Sequence, residues 1–103
     1  MPSLSEQIYN LLENFDYSSN PEERIRILRG ILGRLSSIMY GSEKEEEYME
    51  VFRRLKIRLK ELREEITKNE KLEPDLWKYL MNSLEEIRDE LERIAVKENV
   101  IEK

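Results

Sequence analysis

The sequence predicts an all-α fold: a small antiparallel bundle of about four helices, one short and three long, in a single domain over residues 1–103. Three observations predict it. Apolar residues recur in steps of three and four, the period that lines one face of a helix. Each such stretch opens on its own capping or proline signal. A chain of 103 residues that is 39% hydrophobic also has enough apolar surface for one core without staples.

The first helix is expected over residues 4–16. Ser3 and Glu6 have the spacing of a capping box, in which the hydroxyl accepts from the amide three residues on and the carboxylate reaches back. Leu4, Ile8, Leu11, Leu12 and Phe15 follow at helical spacing, and Tyr17 to Asn20 read as a turn. The second helix, 21–40, starts at an Asn20 cap with Pro21 in the first turn, where its missing N–H has no partner to lose. Glu22 and Glu23 oppose the positive end of the helix dipole. Its heptad seam is Ile25, Leu28, Leu32, Leu35 and Met39. Ile31 and Ile38 widen that stripe, so this helix is expected to touch more than one neighbour. Gly41 ends it in a left-handed conformation.

The third helix, 43–68, opens on a second capping box, Ser42 to Glu45, and carries the seam Tyr48, Phe52, Leu55, Leu59, Leu62 and Ile66. After a polar link from Asn69 to Glu73, Pro74 and Asp75 begin the fourth helix, 74–98. Its seam is Trp77, Leu80, Leu84, Ile87, Leu91 and Ile94. Asn99 to Lys103 are expected to fray. Helices three and four, about 25 residues or roughly 37 Å each, form an antiparallel hairpin across the short link. Helix two closes a three-helix core and helix one covers part of the remaining groove. Because helix one is short, Met49, Val51, Phe52, Leu76, Trp77 and Met81 are candidates for an open patch, unless helix one together with Tyr17 and Tyr40 covers it. A homodimer or a protein partner would hide such a patch.

Composition removes whole function classes. The chain has no histidine and no cysteine. That excludes zinc sites of the Cys/His kind, c-type haem attachment, and every mechanism that needs a His base or a Cys nucleophile. There is no Gly-rich phosphate loop, and no cofactor, metal or enzymatic activity is expected. No apolar run is long enough to span a membrane. Residues 1–13 lack the basic start and apolar core of a signal peptide, so the expected compartment is the cytoplasm. A formal net charge of −5 argues against nucleic acid as the main partner, since phosphate contacts need clustered Lys and Arg. Abundant charge with few thermolabile residues is shared by hyperthermophile proteins and designed bundles, and predicts a thermostable chain. The single alanine, Ala95, and the interior Gly30 and Gly33 favour a natural chain over a designed one.

Four groups of residues remain as candidates for function. Gly30, Gly33 and Ser37 form a small face on helix two, away from its seam. Each interior glycine costs about 1 kcal/mol relative to Ala, so close approach of another backbone is expected there. That backbone is helix one, a second subunit or a partner helix, with Arg26, Arg29 and Arg34 as a polar rim. On helix three, Arg53, Arg54 and Lys60 surround Ile57 on the face away from the seam, a basic surface suited to a phosphate backbone or an acidic partner helix. Lys56, Arg58 and Arg63 are expected to form ion pairs with Glu85, Glu86, Asp89 and Glu90 that fix the hairpin register. The aromatics Tyr9, Tyr17, Tyr40, Tyr48, Tyr79 and Trp77 are expected to cap the ends of the core rather than line a ligand pocket.

The last group is acidic. Glu61-x-x-Glu64 followed by Glu86-x-x-Asp89 is similar in spacing to the paired carboxylates of MazG-like nucleotide pyrophosphohydrolases, a resemblance that implies Mg²⁺ held on a helical hairpin. It covers two four-residue strings. The heptad register sets Glu61 and Glu64 opposite the Leu59/Leu62 seam and pairs Glu61 with Met81 rather than Glu86, so a solvated face is expected. The expected function is a non-catalytic interaction module that docks a protein or associates with itself. Nucleic-acid binding through the basic face of helix three is the rival reading. A designed scaffold without cellular function and a magnesium-dependent nucleotide hydrolase are the further alternatives.

Overall fold

A computed structural model describes residues 1–102 and folds them into four α-helices: α1 (Leu4–Tyr17), α2 (Pro21–Met39), α3 (Glu45–Lys68) and α4 (Pro74–Lys97). Among the described residues there is no strand, and the molecule is an all-α bundle of 43 × 26 × 22 Å. The α2 helix is its centre and packs closely on α1, α3 and α4, while α3 and α4 approach each other more sparingly. The breadth of the α2 apolar face explains this. Its five seam residues are buried, and so are Ile27 and Ile31 on either side of the Leu28 row. Ile8, Leu12 and Phe15 of α1 complete the core, with Tyr48 to Leu62 on the α3 seam and Leu80 to Ile94 on the α4 seam. Each such side chain contributes about 1.5–3 kcal/mol on burial.

The helix ends follow local chemistry, with two corrections. Ser3 Oγ accepts from the Glu6 N–H at 3.1 Å, and Asn20 Oδ1 from the Glu23 N–H at 2.9 Å. Gly41, at φ +80°, takes the left-handed position after α2. The Ser42–Glu45 capping box does not form, and α3 starts at Glu45 rather than 43. Ser42 Oγ instead accepts from the N–H of Lys44, only two residues on, and the Glu45 carboxylate accepts from the Gly41 N–H at 2.8 Å. The carboxylate thus caps the turn that leaves α2. The second correction is at the other end. Asn99 does not fray: it adopts φ +59°, its N–H donates to Val96 O, and the Val100 N–H donates to Ala95 O at 2.8 Å. This is a Schellman ending, with Val100 and Ile101 folded onto the core. Lys103 lies outside the described residues.

Two expectations about coverage also change. Phe52 is buried, and Met49, Val51, Leu76 and Met81 are half-buried, so only Trp77 of the suspected open patch is exposed, at 39%. Arg24, one turn into α2, meets Glu85, three turns into α4. The first turns of α4 therefore run past the start of α2, which leaves the Trp77 seam position partly uncovered. Tyr17 and Tyr40 cover nothing, being 89% and 80% exposed. No helix among the described residues is long and apolar enough to cross a membrane.

Candidate functional site

Polar links, most of them between opposite charges, tie most of the packed helices together. Buried Arg24 of α2 donates to Ser18 O at 2.6 Å and to Glu85 of α4 at 3.1 Å, with its guanidinium 4.3 Å over the Phe15 ring. Arg88 of α4 reaches Asp16 of α1 at 2.9 Å and Glu92 at 3.0 Å. Partial burial opposes the Arg88 charge, but the hydrogen bonds it donates to Asp16 and Glu92 outweigh that and raise its pKa. Between α3 and α4, Arg54 pairs with Glu90 at 2.8 Å, and Lys44 pairs with Glu98 at 3.2 Å. The buried Tyr48 hydroxyl donates to the same Glu98 carboxylate at 2.5 Å. Burial first, then that hydrogen bond, push the Tyr48 phenol up to about 12. Hydrogen bonds from Tyr48 and Lys44 hold Glu98 below its ordinary value.

The α2/α3 seam is different. Arg26 and Arg29 of α2 and Lys56, Lys60 and Arg63 of α3 line its outer edges, all exposed. None of the five has an ion pair or side-chain hydrogen bond among the described residues. Arg53 continues the row toward the start of α3, held by Glu50 one turn earlier. Cations thus face cations across this groove, on a chain whose formal charge is −5. Glu22 and Glu64 stand at its Arg63 end. Toward the other end Arg29, Arg53 and Lys56 rim a hollow of about 680 Å³ with an apolar floor of Leu32, Met49 and Phe52, edged by Gly33.

The residues singled out from the sequence divide between different neighbours. Gly30 faces α1, but the expected close approach of a second backbone is absent: a Cβ there would meet only side-chain atoms, Arg34 Nη1 at 3.2 Å and Leu11 Cδ1 at 3.4 Å, so helix one meets this position through a side chain. Arg34 is part of the same contact, with Nε donating to Gln7 Oε1 at 2.7 Å and a second nitrogen to Gly30 O at 2.9 Å. Gly33 is exposed with nothing within 4 Å of a Cβ position, and Ser37 Oγ donates back to Gly33 O. Gly33, Ser37 and Arg26 are therefore open, whereas Gly30 and Arg34 are internal joints. On α3, Ile57 is 47% exposed and Lys60 and Arg53 flank it. Arg54 leaves this set, because it bridges to α4.

The expectation for Lys56 and Arg63 is reversed: they face α2, not the acids of α4. Arg58 does reach α4, but to the Tyr79 hydroxyl at 2.7 Å and to Ser83 Oγ rather than to a carboxylate. The signal that separates these residues is angular. Successive positions turn by about 100°, so Arg54 and Lys56 lie on opposite flanks of one helix. The paired carboxylates do not converge. Glu61 and Glu86 border the α3/α4 groove, Glu64 borders the α2/α3 groove, and Asp89 pairs with Arg88. Among the described residues no three metal-ligating groups come together.

Comparison with known proteins adds kinship. The chain is 48% identical, over all 103 residues and the whole length of the relative, to an uncharacterized protein of Archaeoglobus fulgidus. No protein-family model and no solved structure matches it.

Proposed function

We propose that this chain, which belongs to one family with the Archaeoglobus fulgidus protein, is a non-catalytic docking module whose α2/α3 face receives an acidic helical surface of a protein. The observation that carries the reading is the row of five unpaired cations on that face. Like charges across a packed groove destabilise the isolated fold, and an acidic ligand turns that cost into attraction. The end-to-end relative in an archaeon supports a natural chain over a designed scaffold.

Three features favour protein over nucleic acid. The groove has an apolar hollow at one end, which suits the apolar side of an amphipathic helix. Its lining holds no exposed aromatic on which a base would stack. Glu22 and Glu64 at the other end would oppose a phosphate backbone. The test is fluorescence anisotropy with a labelled amphipathic peptide, glutamates on one face and leucines on the other, at low and high salt. Binding is expected to weaken with salt. It should fall at least about tenfold in the Arg29→Glu/Arg63→Glu double variant, while Lys78→Glu on α4 leaves it unchanged. Absence of binding at low salt, or equal loss in the Lys78 control, would overturn the reading. Binding of duplex DNA or single-stranded RNA in place of the peptide would establish the nucleic-acid rival.

A further inference from the structure

We infer that the acidic surface seated on this face is the first half of α3 from a second copy of the chain, forming a closed two-fold dimer. The inference rests on the docking reading above and names its occupant. The outward side of α3 is divided by charge along its length. Glu46 and Glu50 stand exposed in its first turns, with Glu43 just before them, and Arg53, Lys56, Lys60 and Arg63 follow, also exposed, with the exposed acids Glu61 and Glu64 among and after the last of them. Acids at the start of a helix suit its dipole. The cations further along have no such reason: Lys56 faces Arg29 of α2, Lys60 and Arg63 stand beside Arg29 with Glu22 and Glu64 near Arg63, and of the four only Arg53 holds an ion pair, with Glu50.

Two copies of this helix laid antiparallel place the acidic half on the basic half, twice. Glu46 and Lys60 each lie seven residues from Arg53. Seven residues is close to two full turns, so all three share one stripe. A crossing at Arg53 therefore sets Glu46 of each copy against Lys60 of the other. Arg53 itself lies near the two-fold axis, and each copy brings Glu50 as its counter-charge. Exposed Ile57 and half-buried Met49, four residues either side of Arg53, add apolar area around the axis. Gly33, bare on the neighbouring flank of α2, has no side chain to hold the incoming helix away.

Two physical arguments select this occupant over another acidic protein. A net charge of −5 repels acidic partners at long range, a second copy included, so the attraction must be made at the contact itself. A helix that carries cations beside its acids escapes that repulsion at the contact, and this chain carries such a helix. In addition, pairing α3 with itself is isologous, so it closes at two subunits, whereas an acidic patch elsewhere on the chain would make a head-to-tail contact that propagates.

Sedimentation equilibrium on the full chain over a concentration series at low salt tests the inference. A dimer is expected, dissociating as salt rises. Glu46→Lys and Lys60→Glu should each weaken it at least about tenfold. Mixing the two variants should restore it, because each then supplies the sign the other lacks. Both positions are exposed, and circular dichroism confirms that each variant is folded before it is mixed. A chain that stays monomeric, a dimer indifferent to both substitutions, or a mixture that stays monomeric would each overturn the inference. A monomer that still binds the acidic peptide removes the self-pairing and leaves the docking face, whereas a monomer that binds no peptide removes both.

Discussion

Replacing Lys56 with glutamate should make the isolated chain more stable. Lys56 is exposed, with Arg53 one turn before it, Lys60 one turn after it, and Arg29 across the groove. Its other turn neighbours are Phe52 and Leu59, so no helical carboxylate contact is lost. Like charges one turn apart destabilise a helix by about 0.2–0.5 kcal/mol, and opposite charges stabilise it by as much. Reversing the sign therefore changes each of the two helical pairs by about 0.4–1 kcal/mol, and the exposed pair across the groove by about 0–1 kcal/mol. The sum is about 1–3 kcal/mol, or roughly 4–24 °C in Tm for a domain of this size. Lys and Glu have nearly equal helix propensity, so the difference is electrostatic. The assay is thermal unfolding by circular dichroism at low salt, diluted until Tm no longer depends on protein concentration. In high salt the gain should shrink as the charges are screened. An unchanged or lowered Tm at low salt, or a gain indifferent to salt, would refute the claim that these cations repel one another. The same substitution should weaken acidic ligands, which places the groove among surfaces where stability is traded against binding.

Two other perturbations probe the scaffold. Tyr48→Phe removes the hydroxyl bound to Glu98 and should cost about 1–2 kcal/mol in urea unfolding. Its difference from wild type should depend on pH in a defined way. Glu98 is held below its ordinary 4.5, so its contribution is present above that value and lost as acid takes the pH down through the depressed one. The Tyr48 phenol is raised from 10.0 to about 12, so its contribution is present below 10.0 and lost as the pH rises toward about 12. A difference that stays flat through both limits would show that the link does not couple to folding. The glycines offer an opposed pair. Gly33→Ala should raise stability by about 0.5–1 kcal/mol because open space receives the methyl group. Gly41→Ala, at φ +80°, should lower it by about 1–2 kcal/mol. Thermal melts that move both the same way would contradict the backbone argument.

Much of this architecture was legible before any coordinate. The seams on α2 and α3 and the Ser3, Asn20 and Gly41 caps follow from interactions within a few residues, and all are present in the structure. The failures have physical causes. The Ser42 box was lost because Glu45 serves the turn from α2 instead. The sequence does not reveal the ordered ending after α4, because Asn99, not glycine, takes the left-handed position, and because the core that receives Val100 and Ile101 is assembled from distant residues. Trp77 fits its heptad yet stays exposed, since its burial depends on where α2 begins in space rather than on its own spacing.

The candidate site was less legible than the fold. The sequence points to a basic stretch on α3 and to a small-residue face on α2, but it expects another backbone against that face, and it assigns Arg54 to the outward surface and Lys56 and Arg63 to α4. The sequence by itself determined that there are helices, roughly where they start and stop, which face of each is buried, and that no His or Cys chemistry is available. Those properties depend on period, capping and composition, which act locally. Only the tertiary structure decided which flank of each helix meets which neighbour. A flank is set by rotation of the whole helix against its packed partners, and α2 lies at the centre of that packing. Its position beside α3 brings Arg26 and Arg29 to the edge that already carries Lys56, Lys60 and Arg63, and so turns scattered charges into one groove.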